Sequence, residues 1–370
     1  MECVPINLKG HTLKYEVNTM KQILRFSAVC LISLWLVSCG RTEENTVSLD
    51  MSVKSGATAV SSIEQIPLPE EFIAARKYYV YRDSLLIVWN RKLSDVYFLQ
   101  FYDLSTGKLV RNCFRYGNGP EEALWVSAYL RGNTLLVNDM VKGQYCVINM
   151  DSIRDNRYSL PRFKKLGSGI STISLFKGGK MLIENPYCFD SDEADIHYSD
   201  PRFLVSESVS RSPIPHKGHR YNTMNVATSG HILHTTDWSR IVYASMSDPV
   251  IELYDSTLQL RKRIEGPDKL PVRYYNDGFS VSYKKRIPYT YLGCTGDDDG
   301  FYLSYVGGFY HKKMQNFDSY IFYFDWSGNL QGSYALNRYV DCLSLSTEPR
   351  VLYGTAYDEE DNPILVKIKL

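Results

Sequence analysis

The chain has 370 residues, 42 lysines and arginines against 41 aspartates and glutamates, a formal charge of +1, and 13% aromatic residues with 29 tyrosines. A chain of this length and apolar content buries a large core. Its balance excludes a disordered protein and a basic nucleic-acid binder, so no nucleic-acid partner is expected. Cys3, Cys30, Cys39, Cys113, Cys146, Cys188, Cys294 and Cys342 include no Cys-x-x-Cys pair, which argues against a zinc site.

Residues 1–19 are polar and fit neither a signal nor a fold, so they read as an upstream extension with translation beginning at Met20. From there Lys21 and Arg25 precede an apolar run of about a dozen residues, the length of a secretory h-region and too short for a comfortable membrane span. Leu36-Val37-Ser38-Cys39 resembles the lipobox of bacterial lipoproteins, which implies cleavage before Cys39 and acylation of its thiol. One acyl chain holds a protein weakly; two or three anchor it durably, at about 0.8 kcal/mol per buried methylene. Gly40-Arg41-Thr42-Glu43-Glu44 is similar to the short acidic signals of surface lipoproteins in Bacteroidetes, and the polar residues 45–56 read as the rest of a tether, 39–56.

Strand-like runs then follow at short, regular intervals with no helix-period stretch between them, which favours an all-β fold. They fall into about six groups. Equivalent turns near Ser84, Asn133, Gly179, Arg240, Gly300 and Arg350 lie about 46 to 61 residues apart, within the range of propeller blades. Apolar runs closed by an acidic turn recur at Phe101-Tyr102-Asp103-Leu104-Ser105-Thr106-Gly107 and Tyr323-Phe324-Asp325-Trp326-Ser327-Gly328, with shorter echoes at Asn149-Met150-Asp151-Ser152 and Leu253-Tyr254-Asp255-Ser256. The last group holds only about three strands. Residues 57–66 are the natural fourth, and such a pairing would close a six-bladed ring over 57–370 and hide two sheet edges.

Gly117-Asn118-Gly119-Pro120-Glu121-Glu122 resembles the GxGPxE loop of the six-bladed, TolB-like propeller lipoproteins of Bacteroidetes. Members often carry phenylalanine after the glutamate; here Ala123 and Leu124 follow, so the apolar anchor is expected one place later. Gly117 and Gly119 permit positive φ, Pro120 stiffens the exit, and Glu122 is placed to accept hydrogen bonds from loop amides. The loop reads as structural, with ligand binding as the alternative.

Other residues compete for chemistry. His216, His219, His231, His234 and Asp237 invite a metal reading, but residues i and i+3 of a strand point to opposite faces, so His231 and His234 cannot share an ion from there. Asp297-Asp298-Asp299-Gly300 lacks the alternating ligands of a calcium loop and reads as a solvated hairpin turn. No metal or other cofactor is expected. Charge runs at 190–195 and 284–286 lie in long connections. Arg273, Tyr274 and Tyr275, in an aromatic stretch, offer a candidate ligand surface for a sugar or peptide, with cover for a neighbouring blade as the alternative.

No GxSxG elbow, HExxH pair or sialidase box is present. The expected protein is a monomeric, lipid-anchored binding or scaffold module of the outer membrane, facing the surface or the periplasm, with a protein, peptide or glycan ligand at one mouth of its ring. The alternative is a lyase or hydrolase with converging carboxylate, histidine and arginine side chains there. Cys113, Cys146, Cys188, Cys294 and Cys342, about one per blade, are expected to be mostly buried free thiols.

Overall fold

A computed structural model describes residues 45–68, 72, 75–90, 97–139, 141–165, 173–175, 181–184, 203–206, 230–270, 274–276, 281–283, 288–310 and 317–370. Cys39 and the lipobox, His216, His219, Cys188, Arg273 and the two charge runs lie outside these residues.

Six antiparallel sheets follow one another along the chain as blades. Blade 1 comprises Ala75–Tyr81, Leu85–Asn90, Leu99–Asp103 and Leu109–Cys113, and blade 2 comprises Val126–Arg131, Thr134–Asp139, Gln144–Asn149 and Lys164–Lys165. Blade 3 is described by Ile173–Leu175, Met181–Glu184 and Phe203–Ser206. Blade 4 runs through Gly230–His234, Arg240–Ser245, Val250–Asp255 and Leu260–Glu265, and blade 5 through Pro288–Gly296, Gly300–Phe309, Tyr320–Asp325 and Leu330–Ala335. Blade 6 contains Asp341–Leu345, Val351–Tyr357 and Pro363–Lys369, and Ser62–Gln65 completes it.

Leu85–Asn90 is buried at every position although a strand alternates its faces. A blade stacked on both sides covers both faces of its middle strands, so an unbroken apolar run suits them. The outer strand Leu109–Cys113 is only partly covered and carries Arg111 and Asn112. Side chains of blades 1 and 2 interdigitate in one cluster, including Phe101, Leu135 and Ile148 at 0% exposure. Burial of each such side chain contributes about 1.5–3 kcal/mol.

The expected ring closure is present. Ser62–Gln65 pairs antiparallel with the chain's final strand, Val366 opposite Gln65 and Lys369 opposite Ser62. Blade 6 then meets blade 1 through Thr355 Oγ1, which accepts from the Tyr78 amide at 2.9 Å, and Ser344 Oγ, which accepts from the Val80 amide at 3.0 Å.

The leader differs from a free tether. Thr46–Ser48 adds a parallel strand to the outer edge of blade 4, Ser52–Ser55 forms one helical turn, and Thr58–Ala59 adds a parallel strand to blade 5. Leu49 and Val53 pack against the shared core of blades 4 and 5. Lys54 pairs with Asp268 at 3.0 Å. The stretch is polar because it lies across sheet edges, whose unpaired amides it satisfies, and not because it is solvated chain.

The recurring turns occupy one structural position, filled by an aspartate in three blades and, in blade 2, by Asn149 in place of the expected Asp151. Asp103, Asn149, Asp255 and Asp325 each end the third strand of a blade and accept from the backbone amide two residues on: Ser105 at 3.2 Å, Asp151 at 3.0 Å, Thr257 at 2.8 Å and Ser327 at 2.9 Å. Such a turn lets a side chain stand in for a missing backbone partner. All four lie on the face opposite the starts of the inner strands.

Candidate functional site at the channel mouth

The innermost strands begin on one face of the ring, at Ala75, Val126, Gly230, Pro288 and Asp341. There Arg76, Lys77, Tyr289, Tyr310, Tyr339, Asp341, Tyr357 and Asp361 line a cleft of approximately 350 Å³ with Met246 and Leu292. Its residues come from blades 1, 4, 5 and 6, which only closure of the ring brings together.

Tyrosines make the walls. Tyr289 and Tyr310 meet edge to face with centroids 5.4 Å apart, and Tyr339 and Tyr357 lie 5.6 Å apart. Burial holds the hydroxyls of Tyr289, Tyr339 and Tyr357 above the ordinary phenol range, so they stay protonated at neutral pH.

The floor is an ion pair. Lys77 Nζ lies 3.3 Å from Asp341 Oδ2, which also accepts from the Tyr339 hydroxyl at 3.1 Å. Asp341 is 3% exposed, and its Oδ1 is buried with no hydrogen-bond partner among the described residues. Burial is the largest single influence and disfavours the Lys77 ammonium, but Asp341 together with the neighbouring Cys342 and Tyr357 holds the lysine above its usual range. At the rim the Arg76 guanidinium lies 5.2 Å from the Trp89 ring and 6.0 Å from the exposed Trp125 ring. Such stacking fixes its plane while leaving its edge N–H groups open.

Deeper in the channel the inner strands bring polar groups together. Arg131 of blade 2 donates to the Ile232 carbonyl of blade 4 at 3.1 Å and to Cys294 Sγ of blade 5 at 3.0 Å. Cys342 Sγ lies 3.5 Å from the Tyr79 hydroxyl, which donates to the Ala128 carbonyl at 3.2 Å. Burial raises the thiols of Cys294 and Cys342, the latter to about 11. His231 is held at about 3 by burial and by the charges of Arg131 and Lys77, so it is a neutral ring, and its Nε2 has no partner among the described residues.

The two histidines of the His-Ile-Leu-His strand go separate ways. His234 stacks on Trp238 with centroids 3.4 Å apart, and burial lowers its pKa to about 4. Asp297 accepts from the amides of Asp299 and Gly300 at 2.9 and 3.0 Å, which makes a hairpin turn between the first two strands of blade 5. Cys113, Cys146, Cys294 and Cys342 are free and buried.

In the glycine-rich loop, Glu122 Oε2 accepts from the Gly119 amide at 2.7 Å, and Lys142 Nζ donates to the carbonyls of Gly119 and Glu122 at 3.0 and 2.7 Å. Gly117 takes the expected positive φ, 158, whereas Gly119 does not, and both glycines also leave room for the Glu122 carboxylate. A Cβ at Gly117 would overlap the Glu122 carboxylate. Ala123 is fully buried and Leu124 is not, so the apolar anchor keeps its place after the glutamate with a smaller side chain. Pro120 lies in the turn before Glu122. The loop joins blade 1 to blade 2 on the mouth side of the ring. Tyr274–Asn276, containing Tyr274 and Tyr275, pairs with Val281–Tyr283 in the connection from blade 4 to blade 5, which leaves from the same side.

Sequence reasoning passed over Arg76, Lys77, Asp341 and the four wall tyrosines. A signal existed: Arg76-Lys77 and Asp341 are charges at the first positions of otherwise apolar inner strands.

The sequence profile described as TolB-like 6-blade propeller-like matches residues 77–348. Among solved structures, the chain is similar to a Bacteroides fragilis protein inferred to be exported, with a TM-score of 0.52 and 13% identity over 88% of this chain and 99% of that one. It is also similar to a member of the DUF4221 family from Bacteroides vulgatus, with a TM-score of 0.50 and 9% identity over 84% of this chain and 96% of that one. No curated protein sequence matches.

Proposed function

Because the chain belongs to the TolB-like 6-blade propeller-like family, we propose that it is an envelope lipoprotein, anchored through Cys39, whose propeller binds a ligand at the mouth of its channel. The observation that carries this reading is the cleft itself, where tyrosine faces, an aromatic-stacked arginine and a buried acceptor converge from four blades. Ligand sites favour concave surfaces that are mostly apolar with a few placed polar groups. Exposed Trp125 and Tyr310 extend the aromatic surface outward from the cleft. No histidine is among the described lining residues, and His231, which interacts with the backbone of the lining residue Leu292, is a neutral ring. The lipobox and the likeness to an exported protein support the envelope address.

Two measurements test the reading. A Cys39→Ala variant should leave the membrane fraction, and its retention there would refute the anchor. A defined panel of soluble peptides and oligosaccharides, followed by tryptophan fluorescence, should give binding that Tyr289→Ala and Trp125→Ala weaken without changing the melting temperature. Binding indifferent to both substitutions would move the site away from the mouth.

A further inference from the structure

We propose that the cleft takes a small zwitterion of the amino-acid type, a short peptide with free amino and carboxyl termini. The proposal rests on the mouth being the binding surface and goes on to specify the ligand.

Charge balance decides between the possible ligands. The lining carries two cations, Arg76 and Lys77, and two carboxylates, Asp341 and Asp361. Lys77 and Asp341 neutralise each other at 3.3 Å. That leaves Arg76 and Asp361, neither with an ion-pair partner among the described residues, so the cleft presents one open positive group and one open negative group. Two acceptor atoms are also spare: Asp341 Oδ1 and Asp361 Oδ1 are both buried with no donor among the described residues. A buried acceptor without a donor carries its desolvation penalty, so a ligand that brings donors to this wall is favoured.

An α-ammonium supplies three donors and a positive charge for the acidic wall. A carboxylate supplies the planar acceptor that the Arg76 fork pairs with most strongly. The zwitterion is neutral overall, so it adds no net charge to a lining whose own charges cancel. An acidic sugar would satisfy Arg76 but would set a second negative charge beside the unpaired Asp361, and a neutral sugar would leave Arg76 unmatched. The tyrosine faces that line the same cleft suit apolar side chains. At approximately 350 Å³ the cleft is at the small end of ligand sites, which favours a peptide of a few residues over a folded partner.

The test is calorimetric titration of the full mature chain with dileucine, N-acetyl-dileucine, dileucine amide, free leucine and glucuronate. Dileucine should bind. Blocking either terminus should weaken binding about tenfold or more, since one charge-assisted hydrogen bond contributes about 1.5–3 kcal/mol. Arg76→Gln should erase the difference between dileucine and its amide, and Asp361→Asn the difference between dileucine and its N-acetyl form, with melting temperatures unchanged. Tighter binding of free leucine than of dileucine would keep the chemistry and shorten the ligand. Equal binding of the blocked forms, no binding of dileucine, or a preference for glucuronate would overturn the zwitterion. If dileucine fails while another compound binds and is lost in Tyr289→Ala, the mouth remains the site and only its ligand class falls.

Discussion

Lys77 and Asp341 face each other across the seam between the first and last blades, Nζ 3.3 Å from Oδ2. They are 264 positions apart in the chain and adjacent only because the ring closes. The pair therefore belongs to both the architecture and the binding cleft. Removing one partner of a buried pair strands the other charge, at about 3–5 kcal/mol, whereas replacing both with apolar residues can be neutral. Lys77→Met should destabilise the protein by about 3 kcal/mol, and adding Asp341→Leu should recover most of that loss. A double-mutant cycle by denaturant unfolding checks it; additive losses would mean the pair is not coupled.

Truncation reads out the leader. Starting the chain at residue 57 removes the Thr46–Ser48 strand, the packing of Leu49 and Val53, and the Lys54–Asp268 pair. Starting at residue 66 also opens blade 6. Melting temperatures should fall in the order 45, 57, 66, with the second step the larger because it exposes two sheet edges. Equal melts for chains starting at 57 and 66 would show that the strand does not close the ring.

His231 gives a pH dependence with a definite sign. Its folded pKa is about 3 against an ordinary 6.5, so the unfolded chain binds the proton more readily. The stability tied to its neutral form is fully present above about pH 6.5 and is lost progressively as the pH falls toward 3. His234, lowered to about 4 by burial, acts in the same direction. His231→Gln should flatten the melting temperature between pH 7 and 4.5; an unchanged slope would assign the acid lability elsewhere.

The buried thiols should be silent. Burial pushes Cys113 to about 12 and raises Cys146 as well, and the thiolate is the reactive form. Mass spectrometry after alkylation at pH 8 should find Cys113, Cys146, Cys294 and Cys342 unlabelled in the folded protein and labelled in guanidinium. Labelling of any of the four in the native state would contradict their enclosure.

Gly117→Ala should destabilise the blade 1 to blade 2 connection, because the added methyl displaces the Glu122 carboxylate from the Gly119 amide. A loss of about 1 kcal/mol is expected from the broken half-buried hydrogen bond, with backbone strain added. With Glu122→Ala as background the steric part of the loss should disappear and only the backbone strain at Gly117 remain, and denaturant melts of the four chains decide it.

The blade count, the positions of the first hairpins that fall on described residues and the closing strand were legible in the sequence, because each depends on local pattern. A buried middle strand must be apolar, a two-residue turn needs residues such as Gly132 at φ 52, and an Asx turn needs a side-chain acceptor where Asp103, Asp255 and Asp325 stand. The glutamate of the glycine-rich loop was legible for the same reason, since Glu122 and Gly119 are three residues apart. The leader misled because polarity marks both solvated chain and a strand laid along a sheet edge; only the partner edge distinguishes them. The cleft was legible only as stray charges, Arg76-Lys77 and Asp341, near the starts of apolar inner strands. Arg76, Asp341 and Tyr289 come from different blades, and no local pattern records which residues face one another when a chain of six repeats is bent into a ring. The sequence determined the blades, and tertiary closure decided what they enclose.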